Sequence, residues 1–295
     1  MKQAILGAGA IGGLMTTALG SLGDDVILIV RPEKPADHPP TLSLERPAGT
    51  ITALVKVEAR LAEPADVLWI ATKTYQLEAA LAAVETAPGI VVPLLNGVDH
   101  IAILRGRFGD DRVVPATIGV EAERRAPGRF VQRSPVHLNV AASGEPVLKG
   151  TIAGLQGLGF VCQFIASEPT LLWSKLCFIG PLALVTSASG KNLGEIQADG
   201  EWKSKLESAI REACAVAAKE GAQVDYKMVA AAFAGYPPTL RASMAKDLAA
   251  GRKLELDGIA GPVVRGGACH GVPTPITEDL IAVIEATRRI RSPRS

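Results

Sequence analysis

The chain has 295 residues, 48% of them hydrophobic and 21% charged, with a formal net charge of +1 at pH 7. That length and apolar content support two packed domains and exclude wholesale disorder. The balanced charge excludes a nucleic-acid footprint, and Arg288, Arg289, Arg291 and Arg294 read as a solvated, frayed C-terminal end.

Residues 3–6 form a short apolar strand, and Gly7-Ala8-Gly9-Ala10-Ile11-Gly12 follows at once. A helical stretch runs to about Leu22, and a second apolar strand covers 26–30. Strand, glycine turn, helix and strand within about 30 residues make the unit that grips a pyrophosphate. Gly7 permits the tight turn, Gly9 removes the Cβ that would keep phosphates away, and Gly12 lets the helix approach the strand. The helix N-terminus supplies free N–H groups and the positive end of a dipole.

The residue closing the second strand selects the cofactor. NAD sites place a carboxylate there for the ribose hydroxyls, whereas this chain has Arg31, which suits the 2′-phosphate of NADP. Glu33 stands close by as a competing carboxylate, and a plain surface arginine is the simpler alternative.

A proline-rich loop covers 32–40, and β-like runs at 42–45 and 50–57 flank Pro47-Ala48-Gly49 as a hairpin. A buried strand spans 66–73 and ends in Lys73, residues 76–85 read as a helix, and the strand 90–97 ends in Asn96-Gly97. Ligands of an open α/β sheet bind beyond the carboxyl ends of its strands, so Lys73 and Asn96 are candidates to touch cofactor or substrate. Asn-Gly alone is equally the mark of a turn. Strands at 113–120 and 136–141, a helix at 145–158 and a strand at 161–165 complete this half.

From Glu168 onward the pattern is helical, with helices expected at 171–189, 201–220, 226–234, 240–250, 255–269 and 274–290. The expected architecture is an α/β Rossmann-type dinucleotide-binding domain over 1–167, followed by an all-α domain over 168–295. A cleft between them is the natural place for an active site. No internal repeat is present.

Cys162, Cys177, Cys214 and Cys269 form no C-x-x-C pair and read as buried free thiols of a reducing compartment. The four histidines show no zinc spacing, so no metal is expected. Lys2 and the small apolar residues after it imitate a signal peptide, but the glycine turn explains them better. The apolar run after Lys175 contains Gly180-Pro181 and is too short to cross a bilayer. A cytoplasmic protein without membrane or nucleic-acid partner is expected.

Lys175 is the single charge in the apolar stretch 171–190. Either its chain snorkels to water, or the fold needs a proton donor there.

Together, "ILGAGAIGG", Arg31, "ATKTYQ" with Lys73, "LLNG" with Asn96, "LWSKL" with Lys175, "SMAKDLAAGRKLELD" with Ser243 and Glu255, and "HGVPTP" resemble the ketopantoate reductase family, along nearly the whole chain. The resemblance implies NADPH-dependent reduction of a 2-oxo acid to a 2-hydroxy acid. It implies that Lys175 polarises and protonates the ketone oxygen, and that Glu255 interacts with the substrate and the lysine. It gives Ser243 a part in holding the substrate, and places Lys73 and Asn96 along the cofactor and substrate side. It permits a homodimer. Hydride arriving at a ketone puts negative charge on oxygen, which a fixed ammonium stabilises.

The chain departs from the family pattern where the lysine helix should carry asparagines, at Ile179 and Ala183. A further family asparagine falls on Leu193, with Asn192 adjacent as a substitute. Lys175, Ile179 and Ala183 share one stripe, which is apolar beyond the lysine. An aliphatic or aromatic 2-oxo acid, or another small ketone, is therefore expected, beside two alternatives: genuine 2-dehydropantoate 2-reductase, and an NADPH-binding sensor or interaction protein without catalysis.

Overall fold

A computed structural model describes residues 1–32 and 34–291. Glu33 and Arg294, weighed above, lie outside the described residues. The chain forms two compact units, one of Met1–Leu95 with His100–Ala166, the other of Asn96–Asp99 with the chain from Ser167 onward.

In the first unit, β1 (Lys2–Leu6) leads through the glycine loop into α1 (Ala10–Ser21), and β2 (Asp25–Ile29) returns parallel to β1. β3 (Thr41–Glu45) and β4 (Ile51–Leu54) make the expected hairpin. β5 (Lys56–Glu58) does not extend it but pairs in parallel with β2, so the expected run 50–57 is two strands serving two sheets. β6 (Val67–Ile70) and β7 (Ile90–Pro93) complete an all-parallel sheet ordered β5-β2-β1-β6-β7. Strands covered on both faces read as continuous apolar runs, which is why β6 and β7 are plain in the sequence. Trp69 is fully buried here, its Nε1 donating to Gln3 Oε1 at 2.7 Å, and Gln3 Nε2 donates to Asp24 Oδ2 at 2.6 Å.

The helix expected over 76–85 is only α2 (Leu77–Leu81), preceded by a 3-10 turn at Thr74–Gln76. α3 (His100–Phe108) has no counterpart in the sequence reading. The remaining strands are β8 (Ala116–Gly119), β9 (Ala122–Ala126), β10 (Arg129–Gln132), β11 (His137–Ala141) and, after α4 (Glu145–Gly157), β12 (Val161–Ile165). They close a three-stranded sheet β12-β11-β8 and a four-stranded sheet β4-β3-β10-β9.

The second unit is built on α5 (Glu168–Ser189). Ser167 caps it, its Oγ accepting from the Thr170 amide at 3.3 Å, and Gly190 ends it in the left-handed conformation at φ 69°. Pro181 lies inside α5 without ending it. By length and composition α5 therefore passes as a membrane span, contrary to the sequence expectation, yet 72% of its most apolar window is buried in the protein. It is a core helix.

Around it stand α6 (Leu193–Ala198), α7 (Gly200–Lys219), α8 (Tyr226–Ala232), α9 (Ser243–Ala249), α10 (Leu256–His270) and α11 (Pro275–Arg291). α5 packs directly on α7, α9, α10 and α11. Their shared core includes Leu176, Cys177, Val185, Ile210, Val263 and Leu280.

Candidate active site

In the first unit the strand order reverses between β1 and β6, so the crevice at their carboxyl ends is a topological switch point, where such sheets bind ligands. The glycine loop lies there. Gly7 has φ 112°, and a Cβ on it would come within 2.9 Å of the Ala71 carbonyl beyond β6. A Cβ on Gly12 would collide with the Gly7 carbonyl. At Gly9 nothing in the protein lies nearer than 4.0 Å to that position, so the loop is open just where a pyrophosphate must approach.

Gly9 caps α1 with no side chain, and no acidic residue occupies the first turn, leaving the N–H groups of Ala10, Ile11 and Gly12 for an anion. Thr72 Oγ1, next to Ala71, is buried without a hydrogen-bond partner. These features fit a dinucleotide. Ala8 lies within the loop, and its carbonyl accepts from Arg124 Nη1 at 3.1 Å. Arg124, on β9, was not a sequence candidate. The hairpin β9–β10 reaches the loop because the Phe130 ring packs against α1 at Gly13, where any Cβ would strike it. Arg31 is exposed two residues past β2, and Lys73 precedes the 3-10 turn beyond β6.

In the second unit Lys175 and Glu255 come together. Lys175 is partly buried in the second turn of α5. Burial pulls its ammonium down to about 8, and the negative charge of Glu255 opposes that fall. Glu255 is 4% exposed and immediately precedes α10, where the helix dipole favours a carboxylate. A buried carboxylate requires such partners. Asn96 supplies another, its Nδ2 standing 3.5 Å from Glu255 Oε2.

Asn96 therefore belongs with the helical unit, although the sequence places it at the end of a sheet strand. β7 ends at Pro93, and the Asn96–Asp99 segment crosses over. Gly97, at φ 82°, lies against the Gly258 carbonyl with no room for a Cβ. Arg265 ion-pairs with Asp99 and, at 2.6 Å, with Asp257.

The other candidates are dispersed. Ile179 is partly buried one turn from Lys175, whereas Ala183 is 3% exposed and packs in the core. Ser243 is exposed as the first residue of α9. Asn192 caps α6: its Oδ1 accepts from the Glu195 amide at 2.9 Å, and Glu195 Oε2 accepts from the Asn192 amide at 2.8 Å. That capping box commits the Asn192 oxygen to the fold. No group of metal-ligating side chains occurs among the described residues.

Residues 3–145 match the family Ketopantoate reductase PanE/ApbA, and residues 170–288 match Ketopantoate reductase PanE/ApbA C terminal. The chain belongs to the ketopantoate reductase family. It is 33% identical to a 2-dehydropantoate 2-reductase of Caulobacter vibrioides over 96% of this chain and 98% of that protein. A 2-dehydropantoate 2-reductase of Mycobacterium tuberculosis is 28% identical over 96% of each.

Two solved structures share the fold. The PanE/ApbA family ketopantoate reductase of Ralstonia eutropha superposes with a TM-score of 0.86 at 24% identity, covering 98% of this chain and 99% of that one. D-mandelate dehydrogenase with NADH and anilino(oxo)acetate does so with a TM-score of 0.87 at 23% identity, with the same coverage. This ketopantoate reductase family member is an oxidoreductase of CH–OH groups that works with a nicotinamide dinucleotide.

Proposed function

We propose that this protein reduces a 2-oxo acid with an apolar side chain to its 2-hydroxy acid, using NADPH, with Lys175 as proton donor. The observation that carries the reading is the partly buried Lys175 ammonium, whose charge buried Glu255 supports electrostatically, followed one turn later by Ile179.

The cofactor, when bound, supplies a hydride to the carbonyl carbon and leaves oxidised. As the carbonyl π pair moves onto oxygen, the Lys175 ammonium stabilises the developing charge and gives up a proton, so the oxygen becomes the hydroxyl. Glu255 keeps the lysine charged enough to donate and aims it, and Asn96 holds the carboxylate. Ser243 contributes a hydroxyl to the substrate. Gly7, Gly9 and Gly12, with the α1 amides, hold the pyrophosphate, and Lys73 and Arg124 add positive charge beside it. Arg31 takes the 2′-phosphate.

The family relatives named 2-dehydropantoate 2-reductase favour ketopantoate as a second reading. Against it, Ile179 offers no hydrogen bond to the ketopantoate hydroxyl, and Ala183 is in the core. The partly buried Lys175, with Glu255 acting on its charge, argues for catalysis over a sensor, which has no use for a perturbed ammonium. We also place the protein in the cytoplasm, where the free thiols of Cys162, Cys177 and Cys214, which are buried, and of Cys269, which is exposed contrary to the sequence expectation, persist, and infer a homodimer from the family.

The test is steady-state oxidation of NADPH, with NADH as control, against ketopantoate, 2-oxoisovalerate and phenylglyoxylate. A large preference for ketopantoate overturns the apolar-substrate reading in favour of the second one. NADPH binding without turnover of any acid overturns catalysis.

A further inference from the structure

Between its ends α5 is buried except at exposed Ser174 and partly buried Lys175, Phe178 and Ile179, which mark its more open face. Residues three and four apart on a helix are neighbours, about 5–6 Å between Cβ atoms. Phe178 and Ile179 therefore flank the group that meets the ketone oxygen.

Phe178 belongs to a three-ring cluster. It stacks on Phe233 with ring centroids 4.4 Å apart and planes at 14°, and it meets Tyr236 at 4.9 Å and 36°. Phe233 is 2% exposed and anchors the cluster in the core, whereas Tyr236 is 45% exposed.

The loop carrying Tyr236 is fixed at several points. The Tyr236 amide donates to the Phe233 carbonyl at 3.2 Å, and the amides of Leu193 and Gly194 donate to the carbonyls of Leu240 and Pro238 at 2.9 and 2.8 Å. Arg241 Nη2 donates to the Gly190 carbonyl at 2.8 Å. Such anchoring explains how a large aromatic stays exposed in a defined position beside the lysine turn. The same loop ends at Ser243, another substrate candidate.

We infer that Phe178 and Tyr236 are specificity-determining residues, forming an aromatic wall that selects a 2-oxo acid with an aryl side chain. The inference rests on the proposed role of Lys175. With the keto oxygen on that ammonium, an aryl group borne on or next to the carbonyl carbon reaches rings one helical turn away. Aromatic pairing in offset or tilted geometry then favours it over an alkyl chain of similar area.

The experiment measures kcat/KM with NADPH for phenylglyoxylate, phenylpyruvate, 2-oxoisovalerate and ketopantoate, in the wild type, Tyr236→Ala and Tyr236→Phe. The exposed Tyr236 is the residue to change, because loss of Phe178 disturbs the core. The expected result is wild-type preference for the aryl acids. Tyr236→Ala should lower kcat/KM for them about 3- to 10-fold, from the usual value of an aromatic pair, and leave 2-oxoisovalerate nearly unchanged. Tyr236→Phe should retain the preference, since the ring and not the hydroxyl does the selecting. Equal loss for all acids in Tyr236→Ala, or a wild type preferring an aliphatic acid, overturns the inference while leaving the reductase reading intact. Failure of every acid overturns both.

Discussion

Asn96 and Glu255, 159 positions apart in sequence, meet side chain to side chain at 3.5 Å. The contact depends on the backbone of the next residue. Gly97 adopts φ 82° and touches the Gly258 carbonyl. Gly97→Ala should therefore push the Asn96–Asp99 segment off α10 and separate Asn96 from Glu255. The expected outcome is a lower Tm, with a cost of about 1–3 kcal/mol from the forced left-handed alanine and the clash, and a loss of kcat larger than any change in NADPH affinity. Thermal unfolding and a kinetic split between kcat and cofactor Kd check it.

With Lys175 as the proposed proton donor, its titration should set the pH dependence. Its pKa is lowered to about 8, so the ammonium needed for reduction is present below that pH and lost above it. Reduction should fall as pH rises through about 8, and the reverse oxidation, which needs the neutral amine, should rise over the same range. Glu255 raises the lysine pKa, so Glu255→Gln should move the alkaline limb of reduction to lower pH. Lys175→Ala should cost about 10²- to 10⁴-fold in kcat with NADPH binding retained. Initial rates across pH 6–10 on the three proteins decide this, and an unmoved limb in Glu255→Gln would contradict the pairing.

Arg31 offers a test of cofactor choice. It is exposed beyond β2, so its replacement costs the fold little. Arg31→Ala should weaken NADPH roughly 10- to 100-fold, the value of a charge-assisted hydrogen bond, and leave NADH nearly unchanged. Fluorescence titration of the two cofactors separates them, and equal weakening of both would assign Arg31 elsewhere.

The parts of this fold legible in the sequence are those with strong local patterns. β1, the glycine loop and α1 follow from apolar periodicity and glycine spacing. β9 is nearly all exposed and carries Glu123, Arg124 and Arg125, so no alternation announces it. Pro127-Gly128, with Gly128 at φ 73°, was the available turn signal. α6 was announced by Asn192 and Glu195, a capping box read instead as a substrate contact. The pairing of Lys175 with Glu255 needed the family pattern, because nothing local links residues on α5 and before α10. Asn96 joining the helical unit was not legible at all, since a close approach of Gly97 to Gly258 leaves no trace in either neighbourhood.

The glycine loop makes a sharper prediction, because two of its glycines have different reasons to be glycine. At Gly12 a Cβ would strike the Gly7 carbonyl, a clash inside the protein. At Gly9 a Cβ would meet no protein atom nearer than 4.0 Å, so the only thing it can obstruct is a ligand. Gly12→Ala should thus lower the Tm of the cofactor-free protein, whereas Gly9→Ala should leave that Tm within about 1 °C or raise it, since alanine restricts the unfolded chain. Added NADPH, the proposed cofactor, should stabilise the wild type by mass action and Gly9→Ala far less. Arg124→Ala, which removes a cation and its hydrogen bond from the Ala8 carbonyl without changing a residue of the turn, should behave like Gly9→Ala but more mildly, with its effect shrinking at high salt. Melting curves of the three variants with and without NADPH, at low and high ionic strength, distinguish these outcomes. A Gly9→Ala protein that keeps the full NADPH-induced shift would show that the pyrophosphate does not approach the loop at that residue.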